Sequence, residues 1–536
     1  MDKHVVVSIE GLSLRLPPGA DREYALKDMN LDLRANEIVC VVGESGSGKS
    51  LCAQALMGLL SKEIHIESGR ATFGTVDLLA ASQAELRSIR GARISMIFQE
   101  PMTALNPSMR VGEQIAEVFE AHNLYTATER QSRVLELARE VRLPDPEKLL
   151  RAYPHELSGG QRQRAMIAMA LALEPDLIIA DEPTTALDVT TQAQVLKLIR
   201  EIQQRRGTAV MFITHDFGVV AEIADRVLVL KRGVVVEQGT VDAVLQAPQH
   251  EYTKALLAAV PHGTPMVADA ARSRPAVLEV NDLRKTYRTR SGMLGPIREV
   301  AAVNGVSFSI ERGETLGLVG ESGSGKSSIA KLVTRISEPD SGTILLDGED
   351  LLEKKGEALR ESRSRIQMVF QDPFASLNPR RSVGLSIADG PIARGVSRSA
   401  ALSRARDLME MVGLSPDAVD RMPHEFSGGQ RQRIGIARAL ALDPDVLIAD
   451  EAVSALDVTV QAQVLQKLSE LKTELNLAML FITHDLHVAA QVCDRLAVML
   501  RGQIVEIGPT AELFSNPEHE YTRALLSAIP GSRLSH

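Results

Sequence analysis

The stretch VGESGSGKS occurs twice in this chain, at Val42–Ser50 and again at Val319–Ser327. Nine identical residues do not recur by chance, and they are not alone. FQEPMTALNP (Phe98–Pro107) is answered by FQDPFASLNP (Phe370–Pro379), and YPHELSGGQRQR (Tyr153–Arg164) by MPHEFSGGQRQR (Met422–Arg433). LIIADEPTTALDVT (Leu177–Thr190) is answered by VLIADEAVSALDVT (Val446–Thr459). FITHD recurs at Phe212 and Phe481, and HEYTKALLAAVP (His250–Pro261) returns as HEYTRALLSAIP (His519–Pro530). The order is kept and the spacing nearly so. A repeat this long means two whole domains rather than a solenoid. The 536 residues are also too many for one ordinary core. The sequence therefore predicts domains over 1–261 and 276–536. Between them, residues 262–275 lack helical or strand periodicity, and as a flexible coil they would span roughly 20 Å.

Composition narrows the class. Apolar residues make up 44%, charged residues 24%, and the net charge is −9, an ordinary globular balance with no pointer to nucleic acid. The three cysteines, Cys40, Cys52 and Cys493, form no CxxC or His/Cys cluster. Zinc, iron–sulfur and disulfide chemistry are not expected, and a reducing cytoplasm fits. The N-terminus has no signal-peptide pattern. No run approaches the ~20 apolar residues of a membrane helix. If the chain works at a membrane, other chains supply the span.

The doubled stretch matches G-x-x-x-x-G-K-[ST]. Apolar strands, EIVCVV and TLGLV, lead into it, and helical patterns follow. That context makes it a phosphate loop. Gly43, Glu44, Ser45, Gly46, Ser47 and Gly48, and their repeats Gly320, Glu321, Ser322, Gly323, Ser324 and Gly325, turn backbone N–H groups toward phosphate oxygens. Lys49 and Lys326 are expected on the β/γ-phosphates of ATP, with Ser50 and Ser327 on Mg²⁺. Asp181 and Asp450 end buried-strand patterns, where ligand sites of α/β sheets lie, and are the expected partners of Mg²⁺. Glu182 and Glu451 follow as acceptors of a proton from attacking water. His215 and His484 also end apolar runs and are candidate γ-phosphate contacts.

With these residues assembled, both halves resemble the ATP-binding subunits of ABC transporters almost end to end. LSGGQ (Leu157–Gln161) and FSGGQ (Phe426–Gln430) look like the family signature. The resemblance implies two tandem α/β domains of the phosphate-loop (RecA-like) type. Each would carry a small antiparallel β subdomain and a helical subdomain between Gln and signature, where VGEQIAEVFEAHNL and RQSRVLELAREVRL read as helices. It further implies that Gln99 and Gln371 serve catalysis and Mg²⁺, and that Asp188 and Asp457 border the nucleotide. In that family ATP lies between two domains. One site would then combine Lys49, Gln99, Glu182 and His215 with Ser427, Gly428 and Gly429. The other would combine Lys326, Gln371, Glu451 and His484 with Ser158, Gly159 and Gly160. The halves would thus pair within one chain. The LNP segments and HEYT tails are similar to the dipeptide/oligopeptide/nickel/glutathione import group, the first half to its D-type ATPase and the second to its F-type. The partners implied are two transmembrane permeases and a periplasmic binding protein, at the cytoplasmic face of the inner membrane, with no nucleic acid. The permeases would meet the surfaces of Gln99–Pro107 and Gln371–Pro379.

Three departures stand out. The adenine-stacking aromatic of the family is Tyr287 in the second half but Leu16 in the first, with Tyr24 out of register. Ala452 and Val453 replace Pro183 and Thr184, which leaves the acids intact. The C-terminal cysteines that hold an iron–sulfur cluster in some relatives are missing. Other readings are a soluble tandem ATPase acting on ribosomes or DNA, a fused sugar-import ATPase, or an assembly subunit that hardly turns ATP over. Against these stand the lack of a long charged linker or zinc cysteines, and the presence of Lys, Glu and His in both halves. The transported solute is not encoded, because this chain does not touch it.

Overall fold

The computed structural model describes residues 4–184, 187–260, 275–370, 376–454 and 456–530, except 291–296. The linker expected at 262–275 falls outside these residues apart from Pro275, and so does Gln371. The chain divides into two compact units. One runs to Val260 and takes in the residues from Ile529 onward, and the other runs from Pro261 to Ala528.

Apolar runs without alternation make the central strands of the first unit. Ile38–Val42, Leu177–Asp181 and Ala209–Thr214 are buried at every position, as strands covered on both faces must be. They belong to a six-stranded sheet ordered Val234–Thr240, Arg226–Lys231, Ile38–Val42, Ala209–Thr214, Leu177–Asp181, Ile94–Ile97. All neighbours run parallel except the hairpin at the first edge. The second unit repeats this order with Gln503–Pro509, Arg495–Leu500, Thr315–Val319, Ala478–Ile482, Val446–Asp450 and Ile366–Val369.

The first unit's sheet carries cores on both faces, sorted by the two-residue period of a strand. In the first unit Ile38, Cys40, Val42, Val210 and Phe212 face the helical layer. Val39, Val41, Met211 and Ile213 face the other way, toward a second sheet. That sheet is four-stranded and antiparallel, ordered Tyr24–Arg34, Val5–Arg15, His65–Phe73, Val76–Asp77. Its counterpart is Ile297–Glu311, Ala276–Arg290, Ser341–Leu346, Glu349–Asp350. The helical insertion is built from Val111–Ala121 and Ala127–Glu140, then the helix Gly159–Leu171. In the second unit it is Val383–Ala393, Arg398–Met411 and Gly428–Leu440. Among the described residues no helix is long and apolar enough to cross a membrane.

The sheet brings four strand ends together at its carboxyl edge. Gly43, Gln99, Glu182 and His215 all lie there, each just past a strand. This edge is only as rigid as the strands beneath it. Phe212, fully buried between sheet and helices, and its repeat Phe481 are the largest side chains in those strands. Phe212→Ala is expected to cost about 3–5 kcal/mol of stability, by thermal or urea unfolding, with Phe481→Ala costing a similar amount.

Candidate active site

The phosphate loop is shaped by contacts that tolerate no side chain. Gly48 has φ 106°, and a Cβ there would lie 2.5 Å from the Ala25 carbonyl oxygen. At Gly43 it would lie 2.1 Å from the Leu230 oxygen. The loop then opens the helix Lys49–Leu56. Lys49 is only 5% exposed, and its ammonium donates to the carbonyls of Gly43 at 2.7 Å and Glu44 at 2.9 Å. Lys326 repeats both bonds, to Gly320 at 2.7 Å and Glu321 at 2.9 Å.

The strand-end acid meets the loop directly. The Ser50 hydroxyl donates to Asp181 Oδ1 at 2.9 Å, and Ser327 to Asp450 Oδ1 at 3.2 Å. Burial pushes both carboxyls above their usual range, a shift the serine bonds partly offset. Glu182 and Glu451 follow in the left-handed region, with φ 45° and 48°. Each extends the sheet by one bond, its N–H reaching the Ile213 or Ile482 carbonyl at 2.9 Å. Non-glycine residues hold the left-handed conformation at a cost of order 1–3 kcal/mol, and they cluster at working sites.

Two side chains hold Glu182. Gln99 Nε2 donates to its Oε2 at 2.9 Å, and His215 Nδ1 lies 3.3 Å from its Oε1. In the second half His484 Nδ1 lies 3.5 Å from Glu451 Oε1. The structure thus gathers Lys49, Ser50, Asp181, Glu182, Gln99 and His215 in one unit. It does the same with Lys326, Ser327, Asp450, Glu451 and His484 in the other.

Comparison with known proteins adds a family to this geometry. A model of the ABC transporter family matches residues 26–185 and again 303–454. The chain belongs to the ABC transporter family. It carries two ATP-hydrolysing, nucleotide-binding cassettes in one polypeptide. A second model, the oligopeptide/dipeptide transporter C-terminal region, matches 236–290 and 505–534. Among curated relatives, the glutathione import ATP-binding protein of Pectobacterium atrosepticum is 47% identical, the alignment covering 98% of this chain and 89% of that one. Its namesake in Escherichia coli O157:H7 is 46% identical, over 99% of this chain and 90% of the relative.

The signature segments of this ABC protein begin helices. Ser158 caps Gly159–Leu171, its hydroxyl accepting from the Gln161 N–H while the Gln161 side chain bonds back to the Ser158 N–H. Ser427 and Gln430 form the same box. A Cβ on Gly160 would lie 2.5 Å from Thr191 Cγ2, and one on Gly429 2.1 Å from Val460 Cγ1. The glycines therefore let the signature helix pack on the helix that Asp188 or Asp457 caps. Strand register puts Leu16 and Tyr287 at matching places, one residue beyond Arg15 and Thr286. Arg15 pairs with Tyr24 where Thr286 pairs with Ala301, so Tyr24 lies on the neighbouring strand. Its hydroxyl donates to Glu67 at 2.9 Å.

Sequence reasoning missed one set of contacts. The tyrosine of each HEYT tail touches the phosphate loop: Glu44 N–H donates to the Tyr252 hydroxyl at 3.3 Å, and Glu321 N–H to that of Tyr521 at 3.1 Å. The signal was present, since the tail repeats in both halves, but no local pattern says what it touches.

The histidines carry opposed influences. Burial pulls the His215 and His484 imidazoliums down, the largest single effect, but the bond and charge of Glu182 or Glu451 and the next aspartate raise them on balance above the ordinary ~6.5. The ion pair's stabilisation is full below the ordinary imidazole value and is lost as pH rises through the raised one. Replacing the glutamate leaves burial as the dominant influence. In nucleotide-free protein, NMR titration is expected to find both imidazoles above 6.5, and Glu182→Gln is expected to bring His215 below it.

Proposed function

We propose that this chain is the ATPase subunit of a bacterial importer for peptides or related small solutes, with glutathione-like tripeptides the favoured class. The observation that carries this is similarity along nearly the whole chain to glutathione import ATP-binding proteins, together with phosphate-loop lysine, glutamate and histidine kept in both halves. The partners are two transmembrane permeases and a periplasmic binding protein, and the chain sits peripherally on the cytoplasmic face of the inner membrane. The cassettes span 1–261 and 276–536, joined by 262–275.

The roles follow from the chemistry of each side chain. Backbone N–H groups of the loops Gly43–Gly48 and Gly320–Gly325 cradle the ATP phosphates, with Lys49 and Lys326 beside the β/γ-phosphates. Tyr287 stacks on adenine, and Leu16 gives the first half only an apolar contact. The serine hydroxyl and aspartate carboxylate that meet in each half are hard oxygen donors suited to Mg²⁺: Ser50 with Asp181, and Ser327 with Asp450. No cluster of three or more acidic, histidine or cysteine side chains stands ready to hold a metal among the described residues. Phosphate, water, and Gln99 or Gln371 would complete the shell. Bound Mg²⁺ would neutralise phosphate charge.

Water then attacks the γ-phosphorus, the bond to the ADP oxygen breaks, and Glu182 or Glu451 takes the water's proton. His215 and His484 orient that glutamate and contact the γ-phosphate. Gln99 leaves Glu182 when nucleotide and water arrive. The signature of the opposite half closes each site through Ser427, Gly428 and Gly429, or Ser158, Gly159 and Gly160, with Asp457 and Asp188 at the border. ATP thereby favours closure, and hydrolysis releases it.

The test separates site from site. Glu182→Gln with Glu451→Gln is expected to lower turnover at least about hundredfold while ATP binding persists. Lys49→Ala combined with Ser427→Arg should do no more damage than the worse of the two alone, because both disable one site. Lys49→Ala with Ser158→Arg should disable both sites. Strictly additive effects in the first pair would refute the shared site.

A further inference from the structure

We infer that Tyr252 and Tyr521 are positioning residues for ATP binding, through which the HEYT tail clamps the phosphate loop of its own cassette. The inference rests on the reading of those loops as ATP sites, and it gives the C-terminal region a task in nucleotide binding.

Two side chains of each cassette meet at one peptide of its loop. The Gly43–Glu44 peptide is held at both edges: the Gly43 carbonyl accepts from Lys49 Nζ at 2.7 Å, and the Glu44 N–H donates to the Tyr252 hydroxyl at 3.3 Å. The second half repeats this, with the Gly320–Glu321 peptide between Lys326 at 2.7 Å and Tyr521 at 3.1 Å. The hydroxyl and the lysine therefore hold opposite edges of one rigid peptide plane. The hydroxyl uses an N–H at the start of the loop and leaves the later ones for phosphate.

The tail itself is firmly seated. Glu237, on the edge hairpin, accepts from the Gln249 N–H at 2.7 Å and the His250 N–H at 3.1 Å. Glu506 accepts from Glu518 at 2.8 Å and His519 at 3.1 Å. His250 Nδ1 then accepts from the Tyr252 N–H at 3.0 Å, and His519 from Tyr521 at 3.1 Å, so each histidine caps the tail helix and aims its tyrosine. The same hairpin reaches the far side of the loop. Its turn residue Gly233 donates to the Ser47 carbonyl at 2.9 Å, and Gly502 to Ser324 at 2.9 Å. Hairpin and tail thus grip the loop at two points. In the first half Lys231 Nζ, 4.7 Å from the Tyr252 ring centroid, adds a cation–π contact.

A loop that must present several N–H groups at once binds best when it is already ordered, since ordering it on binding costs affinity. Removing one neutral hydrogen bond should weaken ATP binding about three- to tenfold. The variant is Tyr252→Phe with Tyr521→Phe, which deletes only the hydroxyls. Glu237→Gln with Glu506→Gln loosens the tail's seat and should act in the same direction.

Two readouts decide the matter on the full chain. ATP titration should show the weakened Kd, and the KM for ATP should rise with kcat little changed. Amide hydrogen exchange without nucleotide should quicken at residues 43–50 and 320–327, with the melting temperature unmoved. Wild-type affinity together with wild-type loop exchange would overturn the clamp, and so would a lowered melting temperature with loop and affinity untouched. The exchange readout needs no nucleotide. A wild-type chain that failed to bind ATP would therefore refute the reading of the site, while loop exchange would still decide the clamp.

Discussion

A lysine ammonium enclosed beneath a glycine loop is the constraint on which this structure turns. Lys49 and Lys326 are each 5% exposed, and a buried charge is costly unless oxygens surround it. Two loop carbonyls supply them in each half. To bring those carbonyls round, the chain must pass positions where a Cβ would collide with neighbouring backbone, hence Gly43 and Gly48. To hold the loop still, it must hang between a buried parallel strand and a helix. The alternating faces of that strand then dictate two cores, one under the helical insertion and one under the antiparallel sheet.

The same edge gathers the reacting groups. Because the parallel strands end side by side, an acid one residue beyond one strand meets a histidine just beyond the next. Gln99 and His215 hold Glu182, and Ser50 holds Asp181. Each carboxylate has a neutral or cationic neighbour that fixes its place.

Much of this was legible in the sequence because local chemistry encodes it. Glycines mark the loop, unbroken apolar runs mark the buried strands, and the tandem repeat marks two cassettes. Helix limits were less clear. The pattern read to Leu124 ends at Ala121 because Asn123 turns left-handed, at φ 56°. The pattern read from Arg130 starts at Ala127 because Thr126 and Glu129 form a capping box. The antiparallel β subdomain came from family resemblance alone, since its long strands carry bulges that blur alternation. Tyr252 lies 208 residues from Glu44, and no local pattern can report a bond across that separation. Leu16 and Tyr287 stand at matching register positions, and the energetic weight of that difference depends on nucleotide, which sequence does not supply.

We propose that two phosphate loops in one chain drive solute import through other proteins' membrane spans. The most direct measurement is to tag this chain, capture it from detergent-solubilised membranes, and identify by mass spectrometry what accompanies it. Two multi-span permeases should come down in stable complex with it. Recovery of ribosomal or DNA-repair proteins without any permease would contradict the proposal and assign the duplicated loop to a soluble machine.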